Sequence, residues 1–250
     1  MVHFPQTILA IFLGGIVALP ADDDVPKEQF IDPEPGAPDP EAVVKEIKQL
    51  NDDEYELGQI RFNKKTGEIR FPAKVNQNEV LLEFAIVNEV TGKTHEALLS
   101  TPISPLYLAI VFKLMRFEES ERDIWPVWDE DGNIVEPMKD DGKGRLDILV
   151  EREVDGKKER FPIGDWIYHR RRNESLKPGH WVLTGSEMYR GYYLAETDGA
   201  IAAIYRTTAG LINSFDDSSD NDEVWFPHLE KVPELGTEVD VVIAKSKKTP

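Results

Sequence analysis

The chain has 250 residues, of which 47 are acidic and 29 basic, so its formal net charge at pH 7 is −18. This charge repels phosphate backbones and anionic lipid surfaces, which argues against nucleic acid as a partner. The chain has no cysteine, which excludes disulfides, thiolate metal sites and iron–sulfur clusters, because each needs sulfur from the protein.

The first 21 residues have the layout of a secretory signal peptide. Their apolar run, from Ile8 to Leu19, is shorter than the roughly 20 residues of a bilayer span. Ala18 and Ala21 offer small residues for cleavage. The residues before the run lack lysine and arginine, which signal peptides usually have there. A buried or interfacial N-terminal helix is therefore an alternative interpretation. We expect export to the periplasm or medium, with no membrane span in the mature form.

The acidic, proline-rich residues 22–41, DDDVPKEQFIDPEPGAPDPE, predict a disordered linker, because such a segment buries too little apolar surface to offset its ordering entropy. A single globular domain is then expected over residues 42–250. It begins with a short helix, since Val43, Val44 and Ile47 recur at helical intervals.

From Gln59 the hydrophobic period alternates, which is typical of strands. "IRFNKKTGEIRF" predicts a hairpin, and "VTGK" predicts a turn from the next strand into "THEALL". "SPLYLAIVFKLMRF" predicts a helix, with Ser104 as N-cap and Pro105 at its first position. It is apolar nearly all round, as a buried helix is.

The second half of the domain continues mainly as strands. Asp155-Gly156 predicts a tight hairpin, and "PIGDWIYHRRRN" predicts a short amphipathic helix. Together these patterns predict an α+β fold. Its main part is a mostly antiparallel β-sheet, or a sandwich of hairpins, with one buried core helix at about 104–117 and short peripheral helices.

The segments "RFPAKVN", "LLEFAIVNEVTGKTHEALLSTPISP", "HWVLTGSEM", "YLAETDGAIAAI" and "PELGTEVDVVI" occur in one order over about residues 60–244. Their combination resembles the YdjY-like proteins, an exported bacterial family of largely unknown function. The resemblance implies export and a shared fold, and it transfers no activity. The ferredoxin-type label associated with that family does not fit a chain without thiolates.

His95 and Glu96 are the first candidates for catalysis. If they lie on a strand, their side chains project to opposite faces and cannot act as a local pair. A zinc-protease motif fails, because Leu99 stands where the second histidine is needed. Either His95 braces its turn, with Glu96 facing Lys93 or solvent, or one of the pair meets residues from elsewhere.

Ser186 in "LTGSE" is the next candidate. The motif is not a nucleophile elbow, which reads G-x-S-x-G. A triad of Ser186, His95 and Asp198 has only residue type in its favour. A Gly-Ser turn with the hydroxyl bonded to backbone is the simpler interpretation.

Two acidic loops and several basic or aromatic residues are candidates for ligand binding. Asp129 and Asp131 lie in one loop, and Asp217 and Asp220 in the other; both loops would suit calcium, although neither has EF-hand spacing and solvated surface acid is the simpler interpretation. No other cofactor is predicted. The remaining ligand-binding candidates are Lys93, Arg171 in "HRRRN", and Trp181, which with the tyrosines at 189, 192 and 193 could form a stacking platform for sugars. The simpler interpretations are that the arginines complement the dipole at the end of the predicted helix and that the aromatic residues fill a sheet face.

Two functional hypotheses follow. The first is a non-catalytic envelope module that binds a small ligand or an envelope protein. The alternative is a hydrolase or metal-assisted enzyme centred on His95 with Ser186 or Glu96. The enzyme requires His95 in a pocket at about 3 Å from Ser186 or a carboxylate, whereas the module requires a bond to the backbone of its own turn.

Overall fold

The computed structural model describes residues 40–120, 127–128, 134–136 and 142–246 of the chain. The predicted signal peptide, at residues 1–21, lies outside these ranges, and so does the predicted linker at 22–41 apart from its last two residues. No helix in the described ranges is long and apolar enough to cross a membrane.

The helices and strands of the described residues have the following bounds. The helices are α1 (Pro40–Lys45), α2 (Pro105–Leu114) and α3 (Leu194–Thr197), with 3-10 turns at Thr94–Glu96 and Ile163–Trp166. The strands are β1 (Lys48–Gln49), β2 (Glu54–Leu57), β3 (Ile60–Asn63), β4 (Glu68–Val75), β5 (Phe84–Asn88), β6 (Ala97–Thr101), β7 (Val127–Trp128), β8 (Ile134–Glu136), β9 (Arg145–Val154), β10 (Lys157–Pro162), β11 (Ile167–His169), β12 (Glu174–Ser175), β13 (Trp181–Leu183), β14 (Met188–Tyr189), β15 (Tyr192–Tyr193), β16 (Ala200–Ala203), β17 (Ile212–Ser214), β18 (Trp225–Pro227) and β19 (Glu238–Lys245).

Eight of these strands form a closed barrel. Their order around the barrel is β4, β19, β9, β13, β17, β16, β5 and β6, and the ring closes where β6 pairs with β4. The closing register joins Lys74 to Ser100 and Val75 to Leu99. Two contacts in the ring are parallel, β5 with β6 and β16 with β17, and the others are antiparallel.

Strand β4 is where the sheet turns back on itself. Its first residues pair with β3, up to Arg70, whereas its last residues, Lys74 and Val75, pair with β6. Pro72 lies between these two stretches, and its carbonyl accepts a hydrogen bond from the Thr101 hydroxyl at 2.6 Å. The long strand therefore has two successive partners, and the second of them completes the ring.

The barrel interior is filled by alternate residues of its strands, as expected of a small barrel. Ile69, Phe71, Ala73 and Val75 of β4 are buried, while the residues between them are more exposed. Ile69 pairs in register with Ile243 of β19, so the apolar side chains of neighbouring strands meet in layers. Each such side chain contributes about 1.5–3 kcal/mol when it is fully buried.

The mostly β character that the sequence predicts is confirmed, but the predicted architecture is wrong. The protein is built on a closed eight-stranded barrel, with only three short helices in the described residues, and not on a sandwich of hairpins with a buried core helix at about 104–117. The physical reason is that apolar alternation marks the inner face of a strand equally well in a sandwich and in a barrel. Closure depends on the β4–β6 contact, which no local pattern reports.

Candidate functional site

The segment that holds His95 and Glu96 is a 3-10 turn and not a strand. Side chains alternate between faces only in extended backbone, so the argument that these two residues point in opposite directions is wrong. The His95 Nε2 atom lies 3.4 Å from Glu96 Oε1, and the His95 side chain is 73% exposed. The imidazole and the carboxylate are therefore neighbours at the protein surface.

Lys93 and Glu83 complete a group of four charged or titratable residues with His95 and Glu96, which we term the acid–base cluster. Lys93 Nζ lies 3.4 Å from a Glu83 carboxylate oxygen and 3.5 Å from one of Glu96. The Glu83 backbone N–H donates to the Glu96 carbonyl at 3.0 Å. No sequence motif marks Glu83, because its position beside Glu96 depends on the parallel register of Phe84 with Ala97, the two residues that follow the glutamates.

The ionisation of Glu83 depends on its neighbours in the cluster. Burial raises the pKa of Glu83, and the adjacent Glu96 carboxyl raises it further, whereas Lys93 acts in the opposite direction. The pKa of Lys93 is raised by both carboxylates, although partial burial alone would lower it. Lys93 thus lies between the two carboxylates, with His95 beside Glu96 and open to solvent.

Ser186 is held in a structural role by its hydrogen bonds. Its side chain is buried, its hydroxyl donates to the Ala209 carbonyl at 2.9 Å, and the same oxygen accepts from the Ala195 N–H at 2.9 Å. None of these bonds reaches His95 or Asp198. The Asp198 backbone N–H donates instead to the Leu194 carbonyl, at the end of α3. The structure therefore does not assemble the triad considered from the sequence.

The ligand-binding candidates are distributed between the interior and the surface. Trp181, on β13, is 2% exposed and packs in the hydrophobic core, so it does not join the tyrosines in an exposed stacking platform. Arg171 is exposed and lies 3.5 Å from Glu223, which is also exposed. The arginines of "HRRRN" follow strand β11 and do not end the amphipathic helix predicted there.

The acidic loop at residues 216–223 is held by arginines. Arg172 makes a bidentate pair with Asp216, at 2.9 and 2.8 Å, and Arg206 lies 3.8 Å from Asp220. Within the ranges that the structure describes, no group of three or more His, Asp or Glu residues is placed to hold a metal ion. Asp129 and Asp131 lie outside the described residues, so the calcium hypothesis for that loop stays a prediction.

His169 is a buried histidine that the sequence analysis did not single out. It is 3% exposed, its Nδ1 accepts the Arg172 backbone N–H at 3.1 Å, and its ring meets the Trp225 ring edge-on at 4.7 Å. Among the described residues, Nε2 has no hydrogen-bond partner. Burial lowers the pKa of His169, and the nearby Arg172 guanidinium lowers it further.

The hairpin of β14 and β15 presents two tyrosines to solvent. Tyr189 and Tyr192 are directly opposite each other across the hairpin and are 56% and 42% exposed. The two turn residues, Arg190 and Gly191, both have positive φ, as a tight hairpin turn requires. Tyr193 anchors the hairpin, because it is buried and its hydroxyl donates to the Gly185 carbonyl at 2.8 Å.

No family model, curated protein or solved structure matches this chain. The resemblance to the YdjY-like proteins consequently stays a prediction that depends on the sequence segments alone.

Proposed function

We propose that this protein is an exported, non-catalytic module of the bacterial envelope that binds a glycan through its exposed tyrosine hairpin. The observation that carries the proposal is the paired exposure of Tyr189 and Tyr192 on one face of a short hairpin. Residues directly opposite in an antiparallel pair have Cβ atoms about 5 Å apart, so the two rings can contact adjacent parts of one ligand. Tyrosine suits such a surface, because it pairs an apolar ring with a polar hydroxyl.

The surroundings of the hairpin support this proposal. Arg190 at its turn has its guanidinium 5.2 Å from the centre of the Tyr189 ring, within the range of a cation–π contact. A net charge of −18 disfavours a polyanionic ligand, whereas a glycan of mainly uncharged sugars is not repelled. The resemblance to an exported family agrees with a ligand found in the envelope.

The non-catalytic part of the proposal is supported by Ser186. Its hydroxyl is already bonded to two backbone groups, and a serine nucleophile needs instead a base that accepts its proton.

Co-sedimentation with purified bacterial peptidoglycan sacculi tests the binding function. We expect the protein to sediment with the sacculi, and the double variant Tyr189→Ala/Tyr192→Ala to stay in the supernatant. The matched control is Leu229→Ala/Leu235→Ala, which removes two other exposed apolar side chains and should leave sedimentation unchanged. Failure of the natural protein to sediment, or equal sedimentation of the tyrosine variant, would contradict the proposal.

Export is tested separately. The full chain is expressed in a bacterial host, the compartments are fractionated, and the mass of the recovered protein is measured. We expect a protein that begins close to Asp22, recovered from the periplasm or medium. An unprocessed protein in the cytoplasm would overturn the export part of the proposal and leave the binding part standing.

The second candidate function is an enzyme centred on His95 and Glu96, and it is favoured by one observation. The His95 imidazole lies 3.4 Å from the Glu96 carboxylate, which is a suitable arrangement for a histidine that transfers protons. The test is a panel of ester, amide and glycoside substrates with the natural protein and with His95→Ala. An activity that His95→Ala abolishes, at unchanged melting temperature, would favour the enzyme over the module.

A further inference from the structure

A cleft of about 610 Å³ lies along the outer face of the barrel, where β6, β4, β19 and β9 run side by side. One row of its lining residues crosses three neighbouring strands, because Ser100 pairs with Lys74 and Lys74 pairs with Glu238. Residues in register on adjacent strands project to the same face of a sheet and lie about 5 Å apart. Ser100, Lys74 and Glu238 therefore form one continuous part of the cleft wall.

Ser100 is a polar residue in this wall that lacks a partner. It is 1% exposed, and its Oγ atom has no hydrogen-bond partner in the described part of the chain. Buried hydroxyl groups are nearly always hydrogen-bonded, because an unsatisfied one costs about 1–3 kcal/mol. A ligand with a polar group at this end of the cleft would supply the missing bond.

The charge of the cleft indicates which ligand it would attract. Five carboxylates line it against three cations, so the wall carries an excess of negative charge; the acids are Glu89, Glu151, Glu153, Glu238 and Asp240, and the cations are Lys74, Arg152 and Lys158. The whole protein, at −18, adds a field of the same sign.

Ion pairs within the protein neutralise only some of these five carboxylates. Lys74 pairs with Glu89 at 2.8 Å, and Glu151 pairs with Arg70 at 2.6 Å. Glu153 and Glu238 have no ion pair among the described residues. Lys158 is opposite Glu153 and Lys74 is opposite Glu238 across the sheet, but neither lysine makes an ion pair with that acid, so both carboxylates can accept a cation in the cleft.

We infer that this cleft binds an extended alkylammonium ligand, with its ammonium groups at Glu238 and Glu153 and an amine nitrogen within hydrogen-bonding reach of Ser100. An ammonium group is a compact cation with three hydrogen-bond donors, which match carboxylate and hydroxyl oxygens. This inference rests on the proposed binding function and assigns it a second ligand class, at a site separate from the tyrosine hairpin.

The test is isothermal titration of the full protein with spermidine at low salt. Ser100→Ala should weaken spermidine binding about tenfold, as the loss of one hydrogen bond from a ligand amine to a buried group does. The same variant should be at least as stable as the natural protein, because it removes a buried hydroxyl that has no protein partner. That combination separates ligand binding from a folding defect.

A paired comparison excludes general attraction of cations to an acidic protein. Glu153→Gln/Glu238→Gln should abolish measurable binding, whereas Asp222→Asn/Glu230→Gln, which removes the same charge from exposed acids outside the cleft, should keep it. Equal losses in the two double variants, or unchanged affinity in Ser100→Ala, would overturn the inference.

Two further measurements show whether the ammonium groups belong to a polyamine or to a peptide, and whether a negative result contradicts only the cleft inference or also the proposed function. Tighter binding of a trilysine peptide than of spermidine would assign the cleft to a basic peptide segment, which carries the same chemistry. If spermidine and trilysine both fail to bind while sacculi still sediment with the protein, the cleft inference is wrong and the proposed function stands. If sacculi also fail, the proposed function is wrong as well.

Discussion

The backbone of Gly199 lies directly against that of Gly92. A Cβ atom at Gly199 would sit 2.5 Å from the Gly92 Cα, closer than real Cβ atoms approach another atom. The same contact is held by hydrogen bonds, since Asn88 N–H donates to the Gly199 carbonyl at 2.8 Å and Gly92 N–H donates to the Asn88 carbonyl at 2.9 Å. The turn before β16 thereby fixes the turn that carries Lys93, and with it the acid–base cluster.

Substitution of Gly199 by alanine should lower the free energy of unfolding by about 3 kcal/mol. Its φ of +62° is a left-handed conformation, which costs a residue with a Cβ atom about 1–2 kcal/mol, and the overlap with Gly92 adds about 1–3 kcal/mol. Urea unfolding followed by circular dichroism measures the loss. Gly67→Ala is the matched control: its φ is +75° but nothing lies within 4 Å of the added atom. Equal losses would show that the Gly92 contact is unimportant.

Ser186 should be more sensitive to alanine than to glycine. Both substitutions remove the two backbone hydrogen bonds, for a loss of about 1–3 kcal/mol. Ser186 has a φ of 64°, however, so Ser186→Gly relieves left-handed strain of about 1–2 kcal/mol that Ser186→Ala keeps. We expect Ser186→Gly to melt above Ser186→Ala in a thermal scan. The reverse order would mean that the backbone strain is relieved in another way.

His169 should make the protein sensitive to acid. Its pKa is lowered in the folded state by burial and by Arg172, against the weaker opposite influence of Asp216 and Glu174, so the unfolded chain binds its proton first. The stability it contributes is fully present above pH 6.5, the ordinary pKa, and is lost as the pH falls through the lowered folded value.

The measurement is the free energy of unfolding between pH 5 and 8 in urea. His169→Asn, which keeps an acceptor for the Arg172 N–H, should be less stable at pH 8 because the edge-on ring contact with Trp225 is lost, yet its stability should vary less with pH. The control His228→Asn replaces a less buried histidine and should keep the pH dependence of the natural protein. An unchanged slope in His169→Asn would refute the assignment.

The ionisation of Glu83 should change the stability of the protein with pH in the opposite direction to that of His169. Its pKa is raised in the folded state by burial and by Glu96, so the folded chain holds the proton more tightly than the unfolded chain. The stability it contributes is present below pH 4.5, the ordinary value, and is lost as the pH rises through the raised folded value. The glutamine in Glu83→Gln cannot ionise. The free energy of unfolding of this variant should therefore increase relative to that of the natural protein as the pH rises from 4 to 7.

The control for this prediction is Glu79→Gln, which changes an exposed acid nearby. Its stability curve should run parallel to that of the natural protein over the same pH range. A Glu83→Gln curve that is also parallel would show that burial and the adjacent Glu96 do not raise the pKa of Glu83 in the folded protein.

Features that form within a few residues follow from the order of the amino acids. Ser104 and Pro105 begin helix α2 as their residue types indicate, and the Ser104 hydroxyl accepts the Tyr107 N–H at 3.2 Å. The turn at Asp155-Gly156 joins β9 to β10, and both residues have positive φ. Caps and tight turns depend on local backbone geometry, so their signals are present in the order of the residues.

The barrel and the surroundings of the candidate residues depend on contacts between segments that are distant in the chain. Closure of the barrel pairs Lys74 with Ser100, and the parallel register of β5 with β6 places Glu83 beside Glu96. Neither pairing can be recognised from the alternation of apolar residues. His169 is buried because β11 pairs with β18, more than fifty residues away in the chain, which sets its ring against Trp225. Contacts of this kind depend on which strands meet, and the alternation of apolar residues is the same for every choice of partner.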